Sequence, residues 1–298
     1  MEEKELKKVD LKIAVASGKG GTGKTFLSTS LFGVLSSDYT DVKLIDCDAE
    51  EPNSGIFIQK ELLKTKSVTQ KVPVINTDNC TYCSKCHDYC AYNAIFILPP
   101  SKIIKVIDEL CHGCGACSYA CEFDAITEKD VEQGIISTYK TNQGRTFIEA
   151  RMNVGVMSPV NVIKAGLKEA GETGITIYDS PPGTSCPFIQ TVTDSDFVIL
   201  ITEPTPFGLN DLKQSVETLK TMDKKYGVVI NRAGLGNDEI YNYLKVNKIT
   251  LLYEIPFDRE IASHYSKAEM AINYMPELKE GLAQMFVSII KEYGNSSN

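Results

Sequence analysis

The chain has 298 residues, of which 43% are hydrophobic and 23% charged, and its formal net charge is −8. These values are typical of a globular chain long enough for about two domains. The acidic balance argues against a general nucleic-acid binder, which would need clustered lysine and arginine. No apolar run approaches the roughly 18 residues of a membrane helix, and the first ten residues lack the apolar core of a signal peptide. We therefore predict a cytoplasmic protein with reduced thiols and with neither nucleic acid nor membrane as partner.

Strand and helix patterns alternate along most of the chain. A buried strand is predicted at residues 12–16, followed by a glycine-rich turn and a helix over 24–35. The next buried strand, 42–45, ends at Asp46. Later strands are predicted at 175–178, 197–201, 228–230 and 251–255, with helices such as 208–222 between them. The alternation indicates a mostly parallel sheet with helices on both faces. The last helix, 277–293, is predicted to pack on that sheet and not to bind a membrane.

The first turn carries a phosphate-binding pattern. It reads Gly18-Lys19-Gly20-Gly21-Thr22-Gly23-Lys24-Thr25, a G-x4-G-K-[ST] motif. Glycines allow backbone N–H groups to close around phosphates, and the following helix N-terminus adds partial positive charge. We expect Lys24 to contact the β- and γ-phosphates and the Thr25 hydroxyl to ligate Mg²⁺. The alternative is a chance glycine-rich turn, against which the flanking strand and helix patterns argue.

Eight of the ten cysteines form two copies of one pattern in the middle of the chain. The runs are Cys80-x2-Cys83-x2-Cys86-x3-Cys90 and Cys111-x2-Cys114-x2-Cys117-x3-Cys121. Each cysteine of the second run lies 31 residues after its counterpart, so the segment contains an internal repeat. Paired CxxC sequences also hold zinc. Two full CxxCxxCxxxC runs, however, are typical of bacterial ferredoxins with two [4Fe–4S] clusters.

The ferredoxin pattern predicts crossed ligand sets, because the fourth cysteine of each run points toward the other cluster. One cluster would take Cys80, Cys83, Cys86 and Cys121, and the other Cys111, Cys114, Cys117 and Cys90. The proline that usually follows the fourth cysteine is absent, and Ala91 and Glu122 stand in its place. After the insert, residues 134–148 predict a hairpin that turns near Asn142-Gln143-Gly144.

Lys19 makes the phosphate loop similar to the deviant loop of the MinD/ParA/Mrp and nitrogenase iron-protein family. In that family the early lysine reaches the partner's phosphates across a dimer that sandwiches the nucleotides. The resemblance therefore implies a homodimer in which Lys19 acts on the nucleotide of the partner. The alternative is a solvated lysine that only adds local positive potential.

Further stretches resemble that family in chain order. Asp46-Cys47-Asp48, followed by Pro52-Asn53, resembles switch I, in which Asp48 would orient the attacking water and Asp46 would assist the magnesium shell. Asp179-Ser180-Pro181-Pro182-Gly183 resembles switch II, with Asp179 as the magnesium-side carboxylate and the Gly183 N–H facing the γ-phosphate. Each acid taken alone is equally a helix cap, but ligands of open α/β sheets bind where these strands end.

The resemblance also covers the base-binding side. Asn231 and Arg232 close a strand where relatives hold adenine, and Pro256 flanks the base. An Asn-Lys-x-Asp guanine motif is absent from the sequence, so ATP is favoured over GTP.

The predicted fold class is α/β, a mostly parallel doubly wound P-loop sheet with an inserted small α+β two-cluster ferredoxin domain. The ATPase domain would comprise residues 1–70 and 131–298, and the insert residues 71–130. The predicted function is that of a dimeric ATPase that binds MgATP and couples its state to electron transfer with an unidentified redox or metalloprotein partner. One alternative is an ATPase that assembles or carries metal centres or clusters, using Cys47 or Cys186. Another is a spatial organiser of the MinD/ParA kind.

Overall fold

The computed structural model describes residues 9–293, which form two compact units. Unit 1 comprises the chain up to Thr65, Ile136–Arg151 and the chain from Ile163 onward. Unit 2 comprises Lys66–Ile135 and Met152–Val162. Most of the N-terminal segment from which we predict the lack of a signal peptide lies outside the described residues.

Eleven strands and nine helices are present between residues 9 and 293. The strands are β1 (Leu11–Ala16), β2 (Val42–Asp46), β3 (Lys60–Ile75), β4 (Ile95–Leu98), β5 (Ile103–Val106), β6 (Ile126–Thr141), β7 (Thr146–Met152), β8 (Ile175–Asp179), β9 (Phe197–Thr202), β10 (Tyr226–Ala233) and β11 (Leu251–Pro256). The helices are α1 (Lys24–Asp38), α2 (Lys85–Asp88), α3 (Ala116–Ala120), α4 (Val160–Ala170), α5 (Cys186–Thr193), α6 (Pro206–Thr221), α7 (Glu239–Val246), α8 (Arg259–Ser266) and α9 (Pro276–Tyr293).

Nine strands form one sheet in the order β11-β10-β9-β1-β8-β2-β7-β6-β3. β1 lies between β8 and β9 and is parallel to both. β2 is parallel to β8 and β7, and β10 is parallel to β9 and β11. The prediction of a mostly parallel α/β sheet is confirmed. The carboxyl ends of its parallel strands meet at one edge, where open sheets of this kind bind ligands.

The centre of the sheet is buried along its whole length. All five residues of β8 and all six of β9 are buried, as expected for parallel strands covered on both faces. The last helix contributes Leu282 and Phe286 to this core, and Phe286 packs edge-on against Tyr39. The predicted packing of α9 is therefore confirmed. Within residues 9–293, no helix combines the length and apolar character needed to cross a membrane.

Of the two longest strands, the sequence patterns missed β3 altogether and predicted β6 only from residue 134 onward, as part of the hairpin. β3 and β6 have 16 residues each and contribute to both units. Most side chains of β3 before Val68 are exposed, so the segment shows no apolar alternation that would predict a strand. The hairpin that follows is confirmed: the Thr141 N–H donates to the Arg145 carbonyl at 2.8 Å, and Gly144 has φ 76°.

The sequence repeat of unit 2 is matched by a repeat in its backbone hydrogen bonds and φ angles. The Ile107 N–H donates to Ala94 O at 2.8 Å, and the Asn76 N–H donates to Ala125 O at 2.8 Å. Each atom in the first bond has a counterpart 31 residues away in the second. Positive φ angles obey the same offset, in the pairs Tyr82 and Gly113, Ser84 and Gly115, and Asn93 and Asp124. The two halves of the insert therefore adopt one conformation twice.

Candidate functional site

A cavity of about 590 Å³ opens at the carboxyl edge of the sheet in unit 1. Its volume lies within the range of roughly 300–1,000 Å³ that is usual for small-molecule sites. The predicted site residues in its lining are Gly20, Gly21, Gly23, Lys24, Thr25, Asp48, Asn231, Arg232 and Pro256. The fold thus brings the phosphate loop, switch I and the expected base-binding residues to one place.

The phosphate loop depends on glycine at Gly23. This residue has φ 103° and precedes α1, in a region of conformational space that side chains rarely occupy. A Cβ atom there would lie 2.5 Å from Nδ2 of Asn231. Asn231 Nδ2 donates to the Thr22 carbonyl at 2.8 Å. Asn231 therefore fixes the phosphate loop from β10, which β9 separates from β1 in the sheet.

Lys24 is a buried cation fixed by neighbouring oxygens. Its Nζ lies 3.2 Å from Ser17 Oγ and 3.3 Å from the Lys19 carbonyl. Burial lowers the pKa of Lys24, and the carboxylates of Asp179 and Asp48 act in the opposite direction. A charge of this kind is prepared for an anionic ligand, because it has been partly desolvated before the ligand arrives.

Two buried acids at adjacent strand ends are joined by one serine. Asp46 of β2 and Asp179 of β8 occupy paired positions in the sheet. Ser54 donates from its backbone N–H to Asp46 Oδ2 at 2.8 Å and from its hydroxyl to Asp179 Oδ2 at 2.5 Å. Burial and the neighbouring Asp179 raise the pKa of Asp46 well above its ordinary value. Burial also raises the pKa of Asp179, which the hydrogen bond from Ser54 opposes.

The oxygens beside Thr25 fit a magnesium ion. Asp179 Oδ1 and Asn53 Oδ1 are buried and lack a hydrogen-bond partner within the described residues. Carboxylate and hydroxyl oxygens are ligands that Mg²⁺ accepts. Thr25, which lines the cavity, and Asp179, which is buried outside its lining, are the residues that would hold the ion.

Asp46 and Asp48 take different places. Asp46 does not line the cavity. Both of its carboxylate oxygens accept backbone N–H groups, one from Asp48 at 3.2 Å and the other from Ser54. It shapes the short turn Ser54–Phe57 that directly follows the switch I residues, here called the switch I turn, and its magnesium role stays a prediction. Asp48 lines the cavity, and burial raises its pKa to about 6, opposed by Lys24.

Three predicted phosphate-site residues lie outside the cavity lining. The Gly183 N–H donates to Ser17 O at 3.1 Å, so contact with a γ-phosphate would require that bond to break. Gly18 and Thr22 line a smaller void against α6. A Cβ atom on Gly18 would lie 2.6 Å from the Asp211 carbonyl oxygen, so glycine permits the loop to approach that helix. The role of Gly183 stays a prediction.

The eight motif cysteines surround two small cavities in unit 2. The first is lined by Cys80, Cys83, Cys86 and Cys121, and the second by Cys90, Cys111, Cys114 and Cys117. Backbone N–H groups donate to three of the sulfurs: Tyr82 to Cys80 and Gly113 to Cys111, both at 3.4 Å, and Ala94 to Cys90 at 3.3 Å. N–H···S bonds of this type accompany cysteine-held iron–sulfur clusters, so the donor set fits such a group.

The two cavities differ in the polarity of their walls. Ile97 lines the first cavity, and its counterpart 31 residues later, Glu128, lines the second. The second also contains His112, whose ring stacks on Tyr92 at 3.7 Å. Between residues 9 and 293, no three His, Cys, Asp or Glu side chains converge closely enough to hold a single metal ion. A four-iron cluster binds each cysteine through a different iron, so its ligands surround it without converging.

The remaining two cysteines differ in exposure. Cys47 is fully buried, and burial followed by the charges of Asp46 and Asp179 raises the pKa of its thiol well above the ordinary value. Cys186 is exposed at the first residue of α5. Cys47 therefore acts as a packed thiol in this state, as the alternative to a metal role predicts.

Comparison with known proteins decides the family. Residues 13–271 match the CobQ/CobB/MinD/ParA nucleotide binding domain. The chain belongs to this family. Two uncharacterised proteins of Methanocaldococcus jannaschii are similar to it: MJ0579, 32% identical over 88% of this chain and 91% of its own, and MJ0578, 33% identical over 95% and 97%.

Solved structures of MinD/ParA-type ATPases share the fold. The septum site-determining protein MinD of Pyrococcus horikoshii, complexed with Mg-ADP, is 20% identical and covers 95% of each chain with a TM-score of 0.56. The McdA(D38A)–ATP complex of Cyanothece is 17% identical, covers 95% of this chain and 97% of its own, and has a TM-score of 0.57. At these identities the likeness concerns the fold. With the family it supports nucleotide binding in the cavity of unit 1.

Sequence reasoning missed part of the cavity wall. Ile261 and Tyr265 of α8 and Leu235 after β10 line it alongside the predicted residues. The motif at Ile255-Pro256-Phe257-Asp258 marks where this wall begins, but the following helix contains no residue pattern that indicates a ligand. Only the fold shows that α8 faces the nucleotide cavity.

Proposed function

We propose that this MinD/ParA-type protein is a dimeric ATPase that couples MgATP binding and hydrolysis to electron transfer through two [4Fe–4S] clusters. The observation that carries the proposal is the division of eight cysteines into two fours, each around its own cavity. In each four, three cysteines come from one run and the fourth from the other. The two clusters would supply one-electron transfer.

The ATPase half of the proposal rests on the family and on the cavity of unit 1. Lys24 neutralises phosphate charge, Thr25 and Asp179 hold Mg²⁺, and Asp48 orients the attacking water. Asn231 keeps the loop closed by its bond to the Thr22 carbonyl. Positioning and charge stabilisation of this kind account for most of the catalysis in phosphoryl transfer.

Chain connectivity supports coupling between the two halves. The proposed ferredoxin-like insert, residues 71–130, lies in the chain between switch I and switch II, with the ATPase domain at 1–70 and 131–298. β3 begins three residues after the switch I turn Ser54–Phe57 and ends at Ile75, which lines the first cysteine cavity. Switch segments that respond to the γ-phosphate are a recurrent device for transmitting nucleotide state.

The decisive experiment counts iron and identifies the clusters. Anaerobic reconstitution of the whole chain should yield about eight irons per chain and the electron paramagnetic resonance signals of reduced [4Fe–4S] clusters. Cys114→Ser should remove about half of the iron, whereas Cys186→Ser, outside both cavities, should retain it all. Tight binding of two zinc ions and the lack of a reducible signal would refute the electron-transfer role.

A metal-centre assembly or carrier ATPase is the second candidate. The exposure of Cys83, Cys114 and Cys186 favours it, because a transferred cluster or metal must be reached by an acceptor. Incubation of the loaded protein with an apo-ferredoxin distinguishes the two. Transfer within minutes that depends on MgATP supports a carrier, and retention of both clusters supports electron transfer.

A further inference from the structure

Tyr265 forms a part of the nucleotide cavity that no motif explains. It lies on α8, lines the cavity and leaves 39% of its surface exposed. Its hydroxyl has no hydrogen bond within residues 9–293. Burial, followed by the charge of Asp179, raises the pKa of this phenol. A bound nucleotide would therefore meet the Tyr265 ring.

The same ring also contacts the switch I turn. The centroids of Tyr265 and Phe57 are 4.8 Å apart with the planes tilted by 32°. Phe26, which follows Thr25 in α1, packs edge-on against Tyr265 at 6.4 Å and 65°. Separations of this size are those of interacting aromatic pairs. Tyr265 is thus in contact with the first turn after the phosphate loop and with the switch I turn at once.

Phe57 ends the short turn whose first residue holds the two acids. Ser54, three residues earlier, donates to both Asp46 and Asp179. A displacement of Phe57 would strain this four-residue turn, and with it the hydrogen bond to Asp179. The turn is also preceded by Asn53, whose buried Oδ1 lacks a partner within the described residues and which lines the cavity.

We propose that Tyr265 is the positioning residue through which a bound nucleotide orders the switch I turn. This inference rests on the proposed nucleotide switch and adds the residue that transmits occupancy. The nucleotide confines the Tyr265 ring, the ring confines Phe57, and Ser54 is then held on Asp179. The role belongs to the ring and not to the hydroxyl, because the contact with Phe57 is made between the two rings.

Hydrogen exchange of the whole chain tests the proposal. Adenylyl-imidodiphosphate with Mg²⁺ should slow exchange at residues 54–57 by about tenfold in the unsubstituted protein. Tyr265→Phe should retain this protection, and Tyr265→Ala should reduce it to less than about twofold at saturating nucleotide. The loss should appear in kcat more than in KM, since the substitution frees the switch and leaves the phosphate loop intact.

Tyr274→Ala is the matched control. The Tyr274 ring lies beyond the end of α8 and stacks at 4.1 Å on the ring of His264, which belongs to α8 as Tyr265 does. Tyr274 does not line the cavity, so its removal loosens α8 without removing the proposed contact. Protection at 54–57 should survive in this variant. Combining Phe57→Leu with Tyr265→Ala should add nothing to the effect of Tyr265→Ala alone, because both changes break one contact.

The outcomes separate this inference from the proposed function. Full protection in Tyr265→Ala would overturn the role of Tyr265 while leaving the ATP-driven switch in place. Protection lost equally in Tyr274→Ala would also overturn it, since general loosening of α8 would then explain the result. No protection in the unsubstituted protein would overturn both the inference and the nucleotide switch, whatever the iron content.

Discussion

Lys19 and Lys24 lie five residues apart in the phosphate loop, but their surroundings differ. Lys24 is buried and its ammonium contacts Ser17 and a loop carbonyl. The Lys19 ammonium has no ion pair or hydrogen bond among residues 9–293, although its carbonyl accepts two bonds. The Lys24 ammonium is thus held in its own cavity, whereas the Lys19 ammonium is available for the proposed contact with a nucleotide bound by another protomer.

Lys19→Ala should separate nucleotide binding from turnover. We expect the ATP dissociation constant of the monomer to change by less than about threefold, because Lys24 and the loop amides remain. ATP-dependent dimerisation and kcat should fall by at least about tenfold, in the range seen when a charged group that contacts transferring phosphate is removed. Sedimentation and steady-state kinetics measure both. Full activity of Lys19→Ala would contradict a role for this lysine across the dimer.

Asp48 predicts the acid limb of the pH profile. Burial raises its pKa to about 6, so the carboxylate of the free enzyme becomes protonated as the pH falls through that value. We expect kcat/KM for ATP hydrolysis to fall tenfold per pH unit below about pH 6, since only the carboxylate can accept a bond from the attacking water. An acid limb with an apparent pKa below 5 would exclude Asp48 as the controlling group.

The raised pKa of Asp48 also affects stability, and there the ionised carboxylate that hydrolysis requires is unfavourable. A raised carboxyl pKa means that the ionised form is less stable in the folded protein, and this cost is present above about pH 6 and disappears below about pH 4. Asp48→Asn should therefore raise the free energy of unfolding at pH 8 by roughly 1–2 kcal/mol, even though it abolishes hydrolysis. Urea denaturation at pH 8 and pH 4 measures the difference, which should vanish at the lower pH.

At the scale of elements, buried strands were predictable and exposed ones were not. β8 and β9 are continuous apolar runs, and each ends near a motif residue or a turn, so the sequence predicts both their existence and their place. The exposed part of β3 contains Leu62 and Leu63 among lysine, threonine, serine and glutamate residues, without alternation, and its strand conformation follows from pairing with β6 in the sheet. Pairing between residues far apart in sequence leaves no periodic signal in β3, whereas the hairpin half of β6 was predictable from residue 134 onward.

The matched halves of unit 2 provide an internal control for the potentials of the two proposed clusters. Glu128 on β6 and Ile97 on β4 are counterparts, and each lines one cysteine cavity. Negative charge close to a cluster favours its oxidised form. Glu128→Ile should raise the reduction potential of one cluster only, and Ile97→Glu should lower that of the other.

A shift of tens of millivolts is expected in each case, because a tenfold change in a one-electron equilibrium corresponds to about 59 mV. Redox titration followed by electron paramagnetic resonance measures both potentials in one sample. The double exchange, Glu128→Ile with Ile97→Glu, should move the lowering of the reduction potential by the glutamate from one cluster to the other. Movement of both potentials by equal amounts would show that the charge acts at long range and that the cavity wall is not responsible.

For the whole molecule, the central question is whether nucleotide and clusters influence one another. If MgATP favours one redox state of a cluster tenfold, its potential moves by about 59 mV, and by reciprocity the redox state alters ATP affinity by the same factor. We expect such a shift on addition of MgATP. It should be absent in Lys24→Ala, in which we expect the proposed clusters to remain and phosphate binding to be lost. Unchanged potentials would leave two independent modules.

The nucleotide site was predictable because its motifs are contiguous in the chain. The spacing of the phosphate-loop residues and of the strand-end acids is enough to predict their role, and the fold brings most of them to one cavity. Tyr265 was not predictable, because its contact with Phe57 joins residues more than 200 positions apart. The positions of Asp46 and Gly183 also depended on the fold, which showed that their hydrogen-bonding groups are already occupied by partners.

Each cysteine run of unit 2 provides three residues to one cavity and its last residue to the other. A single 31-residue half, cut from the chain, would keep three cysteines around an incomplete cavity. Its fourth cysteine would lack the second cavity to which it belongs. Two separate copies of such a half would satisfy one another by exchanging their last cysteines. The insert thus has the organisation of a domain-swapped homodimer whose two subunits have been joined into one polypeptide. We would expect its halves to fold together or not at all.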